Sequence, residues 1–198
     1  MDKEDIYLIE EAKKDHKKFE DIYKKYSQKI FNYFWFRVGH QKDIAEDLMQ
    51  ETFIRAYKDL DKFNLRTHSY YSYLLTIAHN LLVNYYRKNK IIPLESVDNI
   101  PNIIIPEEEI DKKENLKLLW KAIQELPQPE KDIFFLKYKE DLPIKEIAKI
   151  VNKSENAVKL ILSRTRKKLI NHPYFKYITS FKDYQKKYTK PKFFKKIL

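Results

Sequence analysis

Between Ser154 and Lys167 the chain gathers Ser154, Asn156, Lys159, Leu160, Ser163, Arg164, Arg166 and Lys167. These side chains offer hydroxyls, an amide, several cations and one apolar tip, a set that binds anions and bonds to flat heterocycles but forms no acid–base pair. At about 100° per residue, Asn156, Lys159, Leu160, Ser163 and Lys167 share an outward helix face, flanked by Arg164 and Arg166. A helix of that width enters the major groove of DNA. There Lys and Asn bond base edges, Leu meets a thymine methyl and the trailing cations hold phosphates. A basic helix end also complements the helix macrodipole without any ligand. A preceding helix, a tight turn and the apolar seam of Ile147, Ala148, Val151, Val158, Ile161, Leu162 and Leu169 favour the DNA reading.

Two earlier constellations carry different chemistry. Asp43, Asp47, Gln50 and Ile54 share a helix face opposite Ala45, Leu48, Met49, Phe53 and Ala56. A merely solvated face has no need of an isoleucine among acids. The arrangement suits docking onto another protein, with Ile54 for contact and the carboxylates for orientation. Further along, Tyr70, Tyr71 and Tyr73 precede Asn80. Single-stranded DNA is held by aromatic stacking, worth on the order of 1–3 kcal/mol per base, and an amide reads the edge of a base turned out of the stack. Tyrosines on a helix also serve as half-buried core, and Tyr73 is expected there.

Composition removes most enzymatic readings. The single glycine, Gly39, builds neither a P-loop nor a dinucleotide fingerprint. Without Cys there are no disulfides, thiolate metal sites or Cys nucleophiles, and the five histidines lack metal-ligand spacing. No cofactor, metal or catalytic activity is expected. Lys and Arg number 40 against 29 Asp and Glu, a net charge of +11 that attracts polyanions, nucleic acid first among them. The start of the chain does not resemble a signal peptide and no apolar run is long enough to span a bilayer, so a cytoplasmic protein without membrane insertion is expected.

The elements that must position these groups read as helices throughout. Phe19, Ile22, Tyr23, Tyr26, Ile30, Phe31 and Phe34 predict a helix over 17–38 that ends at Gly39. A second helix is predicted over 42–60 and, after a connection at 61–67, a third over 68–88. Residues 91–114 hold three prolines and seven acids against two lysines, the composition of an extended acidic linker. Helices resume over 115–171, with Pro143 in a first turn and Ser154 as an N-cap. Residues 172–198 form a tail with eight lysines and eight aromatics. The predicted fold is all-α: domains at 1–90 and 115–171, joined by the 91–114 linker, the second containing a helix-turn-helix.

Leu126-Pro127, Ile133 to Leu136, Leu142 to Ala148, Ala157 to Lys159 and Arg164 to Leu169 together resemble the C-terminal promoter-binding domain of extracytoplasmic-function (ECF) sigma factors. Asp43 to Ile54 resembles that family's polymerase-binding signature, and Tyr73 to Asn80 with Tyr86 and Arg87 resembles its promoter-opening segment. The resemblance spans roughly residues 19–169. It implies docking on the clamp and flap of core RNA polymerase as a monomer, with Asp43, Glu46, Asp47, Gln50, Glu51 and Ile54 on the clamp coiled coil. Contacts to the -10 element would come from His68, Ser69, Tyr70, Tyr71, Tyr73, Asn80 and Arg87, and contacts to the -35 element from the Ser154 to Lys167 set. Promoter DNA and an anti-sigma factor are the further partners implied. The chain departs from the family at Tyr73, commonly Trp, and at Asn152, commonly the turn glycine. The runner-up is a stand-alone helix-turn-helix regulator, which would leave the Asp43–Ile54 face without a task; a third reading is a basic RNA-binding or membrane-surface protein acting through its tail.

Overall fold

In the computed structural model residues 3–64, 69–89 and 118–173 are described, and among them every regular element is helical. The linker at 91–114, nearly all of the tail, and His68 lie outside the described residues. The chain divides into two compact units, Met1–Leu94 and Glu95–Leu198.

The first unit is built on α1 (Lys3–Lys14), α2 (Phe19–Trp35), α3 (Lys42–Lys58) and α4 (Tyr70–Asn89), with a 3-10 turn at His16–Lys18. Phe19, Ile22, Tyr26, Ile30, Tyr33 and Phe34 of α2 are buried at three- and four-residue spacing and meet Ala45, Met49, Phe53 and Ala56 of α3 and Leu74, Leu75, Ala78 and Leu82 of α4. Each fully buried leucine contributes roughly 1.5–3 kcal/mol of transfer free energy. After α2 the backbone enters the left-handed region at Gly39 (φ 66°) and again at His40 (φ 60°). Glycine adopts that conformation freely; the His40 ring is held edge-on against Trp35 and Phe36, and the His40 backbone N–H donates to the Trp35 carbonyl.

Two boundaries differ from the sequence reading. The α1 helix was not foreseen, because its buried residues, Asp5, Ile9 and Ala12, include only one large hydrophobe. It is tied down by polar contacts instead: the Tyr26 hydroxyl donates to the buried Asp5 carboxylate, and Lys25 Nζ lies 2.8 Å from the same group. The fourth helix begins at Tyr70 rather than at residue 68, because the Ser69 hydroxyl accepts from the Ser72 N–H at 3.1 Å and so caps the first turn.

The second unit packs helical residues 118–124 (α5), α6 (Gln128–Tyr138), α7 (Ile144–Ile150) and α8 (Glu155–Ile170). Trp120, Ile123, Ile133, Phe134, Phe135, Leu136 and Tyr138 fill its core, against which Ile147, Ala148, Val158, Leu162 and Leu169 close. Pro143 stands immediately before α7, and α7 is followed by Val151, Asn152, Lys153 and Ser154. Asn152 takes φ 50°, a left-handed conformation that asparagine tolerates better than most residues, and Lys153 N–H closes the turn on the Ala148 carbonyl at 2.8 Å. Ser154 Oγ then accepts from Ala157 N–H at 3.2 Å, the N-cap expected of it.

Candidate nucleic-acid and partner interfaces

On α3 the helical phase that buries Ala45, Met49, Phe53 and Ala56 turns Asp43, Asp47, Gln50 and Ile54 outward. Ile54 is 47% exposed. Asp43, Asp47 and Gln50 are exposed, and none pairs with a described residue. Glu46 and Glu51 are half-buried and engaged along the helix, Glu46 with Lys42 at 3.6 Å and Glu51 with Arg55 at 2.7 Å. Leu48, expected in the core, is only half-buried; Thr52 is buried instead, its hydroxyl donating to the Leu48 carbonyl at 2.8 Å.

The α4 group separates into residues that face solvent and residues that do not. Asn80 is exposed and its amide makes no hydrogen bond to a described residue. Arg87 is exposed, with Nη2 donating to Asn84 Oδ1 at 3.1 Å. Tyr73 is half-buried, its ring 4.9 Å from Phe63, and burial together with the nearby Asp59 carboxylate raises its hydroxyl pKa. Tyr70 corrects the sequence reading: at 0% exposure it is core, wedged edge-on against Phe63 with centroids 4.9 Å apart. Burial pushes its phenol pKa far up, so it stays neutral, and its hydroxyl has no hydrogen-bond partner among the described residues. Tyr71 is half-buried. It lies nine positions before Asn80, half a turn out of phase, and stacks on Tyr26 of α2 with centroids 5.7 Å apart and rings 11° from parallel. Neither ring shares the surface that presents Asn80. Ser69 is half-buried and serves the helix cap.

On α8 the outward set is nearly as expected. Asn156, Lys159, Arg164 and Lys167 are exposed without a described partner, Leu160 is 50% exposed, and Ser163 is half-buried. Arg166 departs from that set: it is half-buried, Nε donating to the Leu162 carbonyl at 3.2 Å, and it lies beside the Tyr138 hydroxyl. Thr165, which sequence reasoning passed over, is fully buried, with its hydroxyl donating to Glu130 of α6 at 3.3 Å, while Lys168 pairs with the same carboxylate at 2.6 Å. The threonine follows the same periodicity as Leu162 and Leu169 and could have been found there.

Fold and surfaces thus define an all-α architecture of two modules, one with an acidic, apolar-tipped helix and one with a helix-turn-helix. Residues 22–91 match Sigma-70 region 2, and residues 116–169 match Sigma-70, region 4. The ECF RNA polymerase sigma factor SigW of Bacillus subtilis is 30% identical over 174 residues, covering 81% of this chain and 92% of that protein. The ECF sigma factor BldN of Streptomyces coelicolor is 27% identical over 150 residues, covering 74% of this chain and 56% of that protein. In fold, the chain is similar to the Bartonella quintana sigma factor RpoE, solved in complex with the anti-sigma factor NepR: TM-score 0.61, 21% identity, covering 81% of this chain and 98% of that one. The chain belongs to the ECF family of RNA polymerase sigma factors, which direct core polymerase to specific promoters and promote DNA opening at transcription initiation.

Proposed function

We propose that α3 docks this sigma factor on the clamp of core polymerase, that the solvent face of α4 reads the -10 element and that α8 reads the -35 element in the major groove. The observation that carries the docking assignment is the pair Asp43 and Asp47, without a partner among the described residues and beside an isoleucine 47% exposed. Two carboxylates without a cation steer and orient a basic partner, and the apolar tip supplies contact area. Glu46 and Glu51 take part at the rim, where their intrahelical pairs leave them a smaller share.

The -10 contacts are assigned to Asn80, Tyr73 and Arg87, and the -35 contacts to Asn156, Lys159, Leu160 and Ser163, with Arg164 and Lys167 on phosphates. Domains at 1–90 and 115–171 divide this work, tethered by the acidic linker at 91–114. The chain acts by binding, as a cytoplasmic monomer on polymerase, and breaks no covalent bond itself. An anti-sigma factor is a further partner, in keeping with the complex in which the Bartonella relative was solved. Among the described residues no helix is long and apolar enough to cross a membrane.

Asp47→Lys combined with Gln50→Ala tests the docking face. Co-purification with core polymerase is expected to weaken by at least about tenfold, since a like charge against a basic patch costs more than the contact it replaces. Unchanged co-purification would remove the assignment.

A further inference from the structure

The solvent face of α4 is a single stripe. Tyr73, Thr76, Asn80, Val83 and Arg87 recur at three- and four-residue spacing, opposite the buried Leu74, Leu75, Ala78 and Leu82. Four of these side chains have a polar group. The fifth, Val83, has none and is 46% exposed. Folding does not call for valine there: nearly half of its surface is left to solvent, and a β-branched residue in a helix interior is less favourable than alanine. Among the described residues of this unit, the other large exposed hydrophobes, Tyr7, Tyr23, Ile54 and Tyr57, lie on α1, α2 and α3. Val83 therefore stands apart from them, one turn beyond the Asn80 amide, which bonds to no described residue, and one turn before the Arg87 guanidinium.

The spacing matches a nucleic acid. Three residues of helix advance about 4.5 Å, close to the separation of neighbouring bases, roughly 3.4 Å when stacked and more when splayed. An amide that bonds a base edge, an isopropyl group one base away and a cation beyond it together offer hydrogen-bond readout, methyl readout and phosphate anchoring. The base feature that an isopropyl group selects is the thymine 5-methyl, which cytosine lacks.

We propose that Val83 is a specificity contact, packing on the 5-methyl of a thymine next to the base that Asn80 reads. This rests on the assignment of the α4 face to the -10 element. It makes the stripe a two-base reader, and it gives a role to a residue that neither motif nor charge singled out.

Deoxyuridine differs from thymidine only by that methyl. On a promoter that the holoenzyme opens, each -10 thymine is replaced in turn by deoxyuridine, and open-complex formation is measured with the original chain and with Val83→Ala, a change that favours the helix. One position is expected to lose about fourfold with the original chain, the worth of one buried methyl. Val83→Ala is expected to lose a similar factor on thymine DNA and nothing further on the deoxyuridine promoter. Losses that multiply, the absence of any sensitive position, or weakened core-polymerase binding by Val83→Ala would each overturn the proposal. Asn80→Ala in parallel separates the two levels: if it opens all promoters normally, the -10 assignment itself falls, whereas if it fails while the Val83 losses multiply, only the methyl contact falls.

Discussion

Asn80 and Tyr70 show what a residue's type predicts and what only its surroundings decide. An asparagine exposed on a helix with its amide unbonded to any described residue has full capacity for a ligand. Asn80→Ala is expected to cost about 1–3 kcal/mol of discrimination at a single -10 position, seen as lost opening on the cognate promoter with core binding intact. The tyrosines were harder to read because Tyr70, Tyr71 and Tyr73 cannot all face one way at about 100° per residue. Tyr70 went to the core, Tyr71 to α2, and only Tyr73 stayed near the outer stripe. The Tyr70 hydroxyl is buried without a described partner, so Tyr70→Phe removes a desolvation cost of about 1–3 kcal/mol. A thermal melt should shift upward by several degrees with promoter opening unchanged. Lost opening in a more stable variant would return Tyr70 to the DNA interface.

At the scale of elements, periodicity revealed α2, α3, α7 and α8, since each sets an apolar stripe of three- and four-residue spacing against a polar face. It missed α1, which binds the unit by charge: Lys13 Nζ donates to the carbonyls of Asp61 and Phe63 at 3.0 and 2.8 Å, and Lys25 meets Asp5. Those long-range partners have no signature in the local sequence. Lys13 acts as a clip on the turn that follows α3. Lys13→Met is expected to reduce hydrogen-exchange protection of the Leu60 and Phe63 amides roughly tenfold, the loss of hydrogen bonds from a charged donor, while α2 amides are unaffected. Uniform loss of protection across the unit would show that the whole fold, and not the turn, depends on this lysine. In the second unit Ser154→Ala removes the α8 cap and should cost about 1 kcal/mol, measurable as a lower denaturant midpoint.

For the whole molecule, a net charge of +11 predicts affinity for polyanions but no particular partner. What distinguishes the chain is that, among the described residues, its two units expose different chemistry: unpartnered acids with Ile54 on one helix of the first, Asn80 with Val83 on another, and unpartnered cations with Leu160 on α8 of the second. A stand-alone regulator would use only the last. Run-off transcription with purified core polymerase and this chain on genomic fragments tests the central claim most directly. Discrete transcripts that require both core and chain are predicted, starting downstream of paired -35 and -10 elements and lost with Asp47→Lys. Tight, sequence-specific operator binding by the chain alone, with no transcript from the combined proteins, would contradict it.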